Sequence, residues 1–531
     1  MADRMNPLDA LFLDIEDEDP RASLAISSVA VLDGPAPTDE EFLAVVRSRL
    51  PLVPRYRQKI VQLPLDLGRP LWIDDPGFDL AYHVRRTMLA EPGDDAALSE
   101  KVAEIMGSRL DRDRPLWEYW IVDGLADGRW AVVSKVHHCM VDGVSGTHLY
   151  NTIFDHSSDA EPAPPEKAWR PEPMPSAWDM AAGALRDLAL VPVEQVRLLR
   201  DAVREPRATL RRVGATIQGL ATLAEAAWPA VSTSLVGPLG RKRRYAIARA
   251  PLADLVAVGH KADVSFNDVA LAAISGALRD LLQGRSEEPH PHAVRSLVPV
   301  SVRAPGEEGI YENRISMMLV YLPVHLDDPV DRLTAVHETV GRLKANREAL
   351  AADAMMSLAR HEPFPPISWG MRLASRLPQR QYTTVTTNVP GPREPLYLLG
   401  RRLIEILPYV PIATRLRVGV AVFSYCGQVT FGVTGDYDST PEVDRVARAI
   451  ERELRALVAR YSPPEKPAAR RRKSAVTRPA LLKASAVPVT AKRPPARTVD
   501  KAANTEAARK KAAVPPPRKP RQSRTVTRQK T

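Results

Sequence analysis

The sequence lacks the marks of several protein classes. Only two of its 531 residues are cysteines, Cys139 and Cys426, which excludes a disulfide framework and makes a reduced, cytosolic chain the simpler interpretation. No apolar run approaches the ~20 residues that a membrane-spanning helix requires. The first twenty residues contain no basic segment followed by a continuous apolar segment, so no signal peptide is expected. These absences predict a soluble globular protein.

The charge of the chain is unevenly distributed. The formal net charge at pH 7 is +10, but residues 462–531 contain 20 Lys and Arg against 3 acidic residues, a net charge of +17. Residues 1–461 contain 54 basic and 61 acidic residues, a net charge of −7. The basic tail has few aliphatic and no aromatic residues, so we expect it to be disordered and without the stacking side chains of a single-strand binder. The positive charge of the tail predicts unspecific attraction to polyanions such as anionic lipid headgroups. Because the tail has no aromatic side chain to stack on bases, we expect no nucleic-acid partner.

Proline marks the predicted domain boundaries. Six of the 49 prolines fall between Pro162 and Pro175, a density that excludes a helix or a central strand. The length of the chain suits two domains of roughly 200 residues. We therefore predict a first domain over residues 1–160, a Pro-rich linker and amphipathic helical connector over 161–241, a second domain over 242–461 and a tail over 462–531.

Apolar periodicity indicates strands that alternate with helices on both sides of the linker, which predicts an α/β fold in each domain. The predicted helices are 40–50, 94–110, a segment containing Val144, Leu149 and Ile153, 267–282, 330–350 and 442–458. The predicted strands are 130–136, 295–302 and 317–324, with a hairpin formed by 418–425 and 428–434.

One segment, residues 134–146, combines residue types that are suited to proton transfer. His137 and His138 close a predicted strand, and Asp142 and Gly143 follow after three intervening residues. Because side chains alternate along a strand, only one of the two imidazoles is expected to face a cleft. A neutral imidazole can take a proton from an alcohol or a thiol at neutral pH. The alternatives are a packed core histidine and a zinc site, and the zinc site lacks a convincing third ligand.

The pattern HHxxxDG at 137–143 resembles the active-site motif of CoA-dependent acyltransferases and condensation domains. Further segments narrow the resemblance to the bacterial wax ester synthase/acyl-CoA:diacylglycerol acyltransferase family. These segments are MNPLDALFL at 5–13, GRPLW at 68–72, FDLAYHV at 78–84, LDRDRPLW at 110–117, ND at 267–268, VPVSVR at 298–303 and TNVPGP at 387–392. The resemblance extends from residue 5 to residue 460.

The resemblance implies two chloramphenicol-acetyltransferase-like α/β sandwich domains with a substrate tunnel between them. It implies that His138 is the general base, taking the proton of a bound alcohol whose oxygen attacks an acyl-CoA thioester, without an acyl-enzyme. His137 would support it, Asp142 would hold the loop, and Gly143 would permit a tight backbone or the close approach of a substrate. Acyl-CoA is then a co-substrate, the acceptor is diacylglycerol or a long-chain alcohol, and no cofactor or metal is expected.

Four other residues are candidates for substrate binding, each with a structural alternative. Asn267 could present its amide at the domain interface, whereas the neighbouring Asp268 fits the N-terminal cap of a helix. Asn388 lies in a turn by composition, and the resemblance places it near the substrate channel. Pro115 and Trp117 could contact substrate, or they could form a packed turn with Trp117 in the core.

A water-insoluble substrate requires contact with a membrane or a lipid inclusion. The helical stretch 176–228, with leucines beside an arginine cluster, is one candidate surface, and a connector packed between the domains is its alternative. We therefore expect a cytoplasmic protein that associates peripherally with the inner face of a membrane or with lipid inclusions. Two other functions stay open: an acyltransferase acting on a polyketide or carrier-bound substrate, and a catalytically silent lipid-droplet or polyanion-binding protein.

Overall fold

A computed structural model gives the fold. It describes residues 3–63, 68–140, 153–159, 169–176, 178–180, 182–183, 186, 231–301, 315–345 and 381–461. Most of the predicted helix around Val144, most of the predicted connector and the whole tail lie outside the described residues. Within the described residues the chain forms two six-stranded sheets and one three-stranded sheet.

The first six-stranded sheet carries the histidine pair. Its strands, in spatial order, are β12 (Tyr397–Leu398), β13 (Arg401–Tyr409), β2 (Ala25–Leu32), β7 (Trp130–His137), β6 (Trp117–Asp123) and β5 (Val84–Met88). Neighbouring strands pair antiparallel except β5 and β6, which are parallel. Every residue of β7 is buried, as expected for a central strand covered on both faces.

The second six-stranded sheet belongs to the C-terminal half of the chain. Its strands, in spatial order, are β10 (Ile315–Tyr321), β9 (Arg295–Ser301), β11 (Thr384–Pro390), β14 (Val418–Tyr425), β15 (Gln428–Asp436) and β8 (Arg243–Pro251). Strand β11 is parallel to both of its neighbours, and the other pairs are antiparallel. A small sheet is formed by β1 (Asp3–Arg4), β4 (Leu71–Asp74) and β3 (Gln58–Val61).

Strands β12 and β13 come from the C-terminal half but complete the first sheet. Strand β13 pairs antiparallel with β2, from Leu403 opposite Leu32 to Tyr409 opposite Ser27. The sequence division into residues 1–160 and 242–461 therefore does not coincide with the division into sheets. Local periodicity identifies a strand but not its partner, which here lies several hundred residues away in the chain.

The helices of the described residues flank the sheets. They are α1 (Pro7–Glu18), α2 (Asp39–Arg49), α3 (Leu80–His83), α4 (Asp95–Gly107), α5 (Leu252–Ala262), α6 (Phe266–Gly284), α7 (Pro329–Ala345) and α8 (Val443–Tyr461). Helix α4 packs against β8 of the second sheet, where Arg249 bridges the carboxylates of Asp95 and Glu405. None of the described helices combines the length and apolarity needed to span a bilayer.

Most local predictions agree with these elements. The predicted apolar face of α6 is buried at Leu271, Ile274, Leu278 and Leu281, and the helix packs against α5, α7 and α8. The predicted hairpin is β14–β15, which turns at Cys426 and Gly427, both with positive φ. The strands predicted at 130–136, 295–302 and 317–324 correspond to β7, β9 and β10, with ends shifted by a few residues.

Candidate active site

The two histidines mark the change from strand β7 to a short 3-10 turn over His138–Met140. The backbone N–H of His137 donates to the carbonyl of Leu116 (2.9 Å), and that of His138 donates to the carbonyl of Leu24 (3.0 Å). Leu116 lies between the predicted site residues Pro115 and Trp117. The backbone of each histidine is thus held by a hydrogen bond to a neighbouring segment of the chain.

The side chain of His137 is enclosed by protein. It is 1% exposed, and its Nδ1 accepts the backbone N–H of Cys139 (3.2 Å) and lies 2.9 Å from the Cys139 Sγ. Its Nε2 lies 3.4 Å from Glu16 Oε2. Burial lowers the pKa of His137, although the carboxylate of Glu16 acts in the opposite direction. With Nδ1 accepting, the remaining proton lies on Nε2, on the side of the ring that faces Glu16.

His138 has a different environment. Its half-buried imidazole stacks on the ring of Phe12, with centroids 3.9 Å apart and an interplanar angle of 28°. Burial lowers the pKa of His138 to about 4, and repulsion by a protonated His137 acts in the same direction. Nδ1 has no hydrogen-bond partner on another described residue. The imidazole is therefore neutral at pH 7 and able to accept a proton.

Glu16 lies beside His137 and was not among the site residues predicted from the sequence. It is 1% exposed, its Oε1 accepts the backbone N–H of Leu24 (2.9 Å), and its Oε2 lies 2.7 Å from an Arg112 guanidinium nitrogen. Burial raises its pKa, but the interactions with His137, Arg112 and Leu24 outweigh this effect and leave the pKa at about 2. The available sequence signal was its helical spacing: Glu16 lies four residues after Phe12.

Two predicted binding residues, Asn267 and Asn388, contact each other. The Asn388 side-chain amide donates to Asn267 Oδ1 (3.2 Å), joining the start of α6 to strand β11. The neighbouring Asp268 forms a capping box with Ser265, which confirms the cap interpretation, and its Oδ2 lies 3.0 Å from His337 Nδ1. The structure thus fixes both asparagine side chains at an α6–β11 contact.

Pro115 and Trp117 are buried. The Trp117 indole is 0% exposed, donates its N–H to the carbonyl of Tyr56 (2.8 Å) and stacks between the rings of Tyr56 and His83. His83 in turn places Nδ1 2.8 Å from the carbonyl of Trp117. These contacts favour the packing interpretation of Trp117.

Asp142 and Gly143, the remaining residues of the histidine motif, lie outside the described residues. Among the described residues, no group of His, Cys, Asp and Glu side chains is arranged to hold a metal ion. The described part of the site therefore consists of a neutral imidazole, His138, supported by His137, Glu16 and Phe12.

Sequence comparison relates the chain to one family. A model described as the wax ester synthase/diacylglycerol acyltransferase catalytic domain matches residues 5–270, and one described as the C-terminal domain of the same family matches residues 311–458. The probable diacylglycerol O-acyltransferase tgs1 of Mycobacterium tuberculosis (strain H37Rv) is 41% identical over 456 residues, which cover 86% of this chain and 96% of that protein.

Structural comparison relates the fold to two kinds of solved protein. The wax ester synthase/diacylglycerol acyltransferase from Marinobacter aquaeolei VT8 is 23% identical, with a TM-score of 0.59 covering 86% of this chain and 100% of that one. A mutant starter condensation domain of rhizomide synthetase, solved with C8-CoA and Leu-SNAC, is 16% identical, with a TM-score of 0.51 covering 87% and 94%. The predicted α/β fold of two chloramphenicol-acetyltransferase-like domains is confirmed.

Proposed function

This chain belongs to the wax ester synthase/diacylglycerol acyltransferase family, and we propose that it is an O-acyltransferase that uses His138 as its general base. The acyl donor is acyl-CoA, and the acceptor is the free hydroxyl group of diacylglycerol or of a long-chain alcohol. The observation that carries the proposal is the placement of His138 directly after strand β7, where its half-buried imidazole stacks on Phe12. A neutral imidazole is the form that can take a hydroxyl proton.

The proposed reaction conserves atoms and charge. His138 takes the hydroxyl proton of the acceptor while the acceptor oxygen bonds to the thioester carbonyl carbon. The tetrahedral intermediate then breaks its carbon–sulfur bond, and the leaving CoA thiolate takes from the imidazolium the proton that came from the acceptor hydroxyl. The ester and free CoA leave, and the imidazole is neutral again. The sequence of steps needs neither a metal nor an acyl-enzyme.

The other site residues receive supporting roles. His137 is 1% exposed and its ring nitrogens face Cys139 and Glu16, so we assign it to positioning. We assign Asp142 to holding the loop and Gly143 to the close approach of substrate, on the motif alone. Asn267 and Asn388 remain candidates for substrate contact, since each side chain has further hydrogen-bonding capacity beyond their shared bond.

Condensation of carrier-bound substrates is the main alternative. A condensation domain shares the fold, so fold does not separate the two functions. The relative at 41% identity bears the name of a diacylglycerol O-acyltransferase, and its alignment covers nearly its whole length. Ester synthesis from acyl-CoA is therefore the better supported of the two.

The test is turnover by the purified protein. Palmitoyl-CoA with diolein or with hexadecanol should release thiol and form the corresponding ester. His138→Ala should lose about 10²–10⁴-fold in kcat, the usual contribution of a positioned base. His290→Ala, at an exposed histidine, should retain wild-type activity. Turnover of neither acceptor by the wild type would contradict the proposed function, and full activity of His138→Ala would contradict the base.

We also propose peripheral contact with a lipid surface near the linker. Most of the stretch 176–228 lies outside the described residues. Near its start, Trp178 is 84% exposed, and Met174, in the linker just before the stretch, is 54% exposed. Exposed tryptophan is favoured at membrane interfaces. Trp178→Ala should reduce co-sedimentation with anionic phospholipid vesicles without changing turnover of detergent-dispersed substrate. Equal vesicle binding by both proteins would contradict this surface.

A further inference from the structure

We propose that Glu16 is a positioning residue for acyl transfer, which holds the general base His138 through His137 and through helix α1. The inference rests on the proposed function, because it assigns Glu16 a role in the same reaction. It is carried by the contacts that the buried Glu16 carboxylate makes with His137, with the backbone of Leu24 and with the guanidinium of Arg112.

Helix α1 presents two side chains to the two histidines. Phe12 and Glu16 are four residues apart, so they lie on the same face of the helix, one turn from each other. Phe12 stacks on the imidazole of His138, whereas Glu16 Oε2 lies 3.4 Å from Nε2 of His137. A single helix therefore sets the position of both adjacent imidazoles.

The carboxylate is also joined to the backbone that holds the base. Glu16 Oε1 accepts the N–H of Leu24, and the carbonyl of Leu24 accepts the N–H of His138. These two hydrogen bonds, 2.9 and 3.0 Å long, connect the carboxylate to the general base across one residue of the loop before strand β2. A shift of Glu16 would move the backbone acceptor of His138 as well as the side chain of His137.

Arg112 balances the charge of the carboxylate and approaches the same oxygen, Oε2, that lies near His137. Arg112 lies 2.7 Å from Glu16 Oε2 and 3.1 Å from Asp17 Oδ1. With its pKa at about 2, Glu16 is ionised throughout the pH range in which the protein would act. An ionised acceptor facing Nε2 keeps the His137 proton on Nε2, and leaves Nδ1 to accept from Cys139.

The test compares kcat and KM for Glu16→Gln, His137→Asn and the double variant. Glutamine keeps an acceptor for Leu24 but removes the charge that faces His137 and Arg112. Asparagine keeps an acceptor near the position of Nδ1 and cannot reach Glu16. Each single variant should lower kcat about 10–100-fold, because a misplaced base loses only part of the rate enhancement that a positioned base provides. The KM for palmitoyl-CoA should stay within about twofold of the wild-type value. The double variant should be no worse than the poorer single variant, because the two residues act in one chain of contacts.

Asp17→Asn is the matched control. Asp17 is the next residue of the helix and also pairs with Arg112, but its side chain is 46% exposed. This variant should keep kcat within about twofold of the wild type. A loss as large as that of Glu16→Gln would show that the Arg112 pairing is responsible, and would overturn the inference.

The remaining outcomes separate this inference from the proposed function. The positioning role would be overturned if Glu16→Gln kept the wild-type kcat, or if the losses of the two single variants multiplied in the double variant. In either case, an inactive His138→Ala variant would still support His138 as the base. If Glu16→Gln fails to fold, the inference is tested by His137→Asn alone. A wild-type kcat for His137→Asn would overturn it, because His137 connects Glu16 to the base. An inactive wild-type protein would overturn both proposals together.

Discussion

The imidazole of His138 illustrates how a neighbouring ring can set the chemistry of one residue. Phe12 stacks on one face of the imidazole, burial disfavours its charged form, and His137, when it is itself protonated, would repel a second charge on His138. Both effects disfavour the imidazolium, so the base is ready to accept a proton but holds it weakly. A weakly held proton is readily transferred to the departing thiolate, which is the second half of the proposed reaction.

The lowered pKa of His138 predicts an unusual pH dependence. A general base must be neutral, so activity is lost as the pH falls through its pKa. With a pKa of about 4, kcat/KM should stay level from pH 8 down to about pH 5, rather than falling near pH 6.5. The measurement is initial thiol release with palmitoyl-CoA and hexadecanol, with samples returned to pH 7.5 to confirm reversibility. A fall in kcat/KM near pH 6.5 that is fully restored on return to pH 7.5 would contradict the lowered pKa of His138.

The start of helix α6 allows a prediction at the scale of one element. The Ser265 hydroxyl accepts the backbone N–H of Asp268 (3.2 Å), and the Asp268 carboxylate accepts the backbone N–H of Ser265 (3.0 Å). Ser265→Ala should cost about 1 kcal/mol of unfolding free energy, measured by urea unfolding with an unchanged denaturant slope. Ser48→Ala is the control, because that hydroxyl bonds within helix α2 to the carbonyl of Val45 and does not cap the helix. Equal midpoints for the two variants would contradict the cap.

Helix α6 also shows what sequence can predict. Its cap and its buried face are formed by residues that follow one another at intervals of about one turn. Apolar periodicity and cap chemistry were therefore sufficient to predict both from the sequence. Trp117 was ambiguous because its partners Tyr56 and His83 are 61 and 34 residues away. Glu16 was missed for the same reason, since its role arises only when α1 packs beside the end of β7. The motif identified the histidines, but their different surroundings required the folded chain.

At the largest scale, a strand from the C-terminal half of the described residues completes the first six-stranded sheet. Strand β13 lies next to β2, and its residues Ile406 and Leu407 are fully buried in the core that contains the first sheet. Strand β2 also pairs with β7, the strand that ends at the histidines. The C-terminal half therefore contributes directly to the framework of the candidate active site.

This sharing predicts that neither half folds alone. A fragment of residues 1–230 would leave β2 as an open apolar edge, which favours aggregation. We expect this fragment to be insoluble by itself and to co-purify with a tagged fragment of residues 231–461 when the two are expressed together. Leu407→Asp in the second fragment should abolish co-purification by placing a carboxylate in the core, whereas Ile404→Asp, on the same strand but 40% exposed, should not. Cooperative urea unfolding of a soluble, monomeric 1–230 fragment would contradict the prediction, because the first sheet would then be stable without β13.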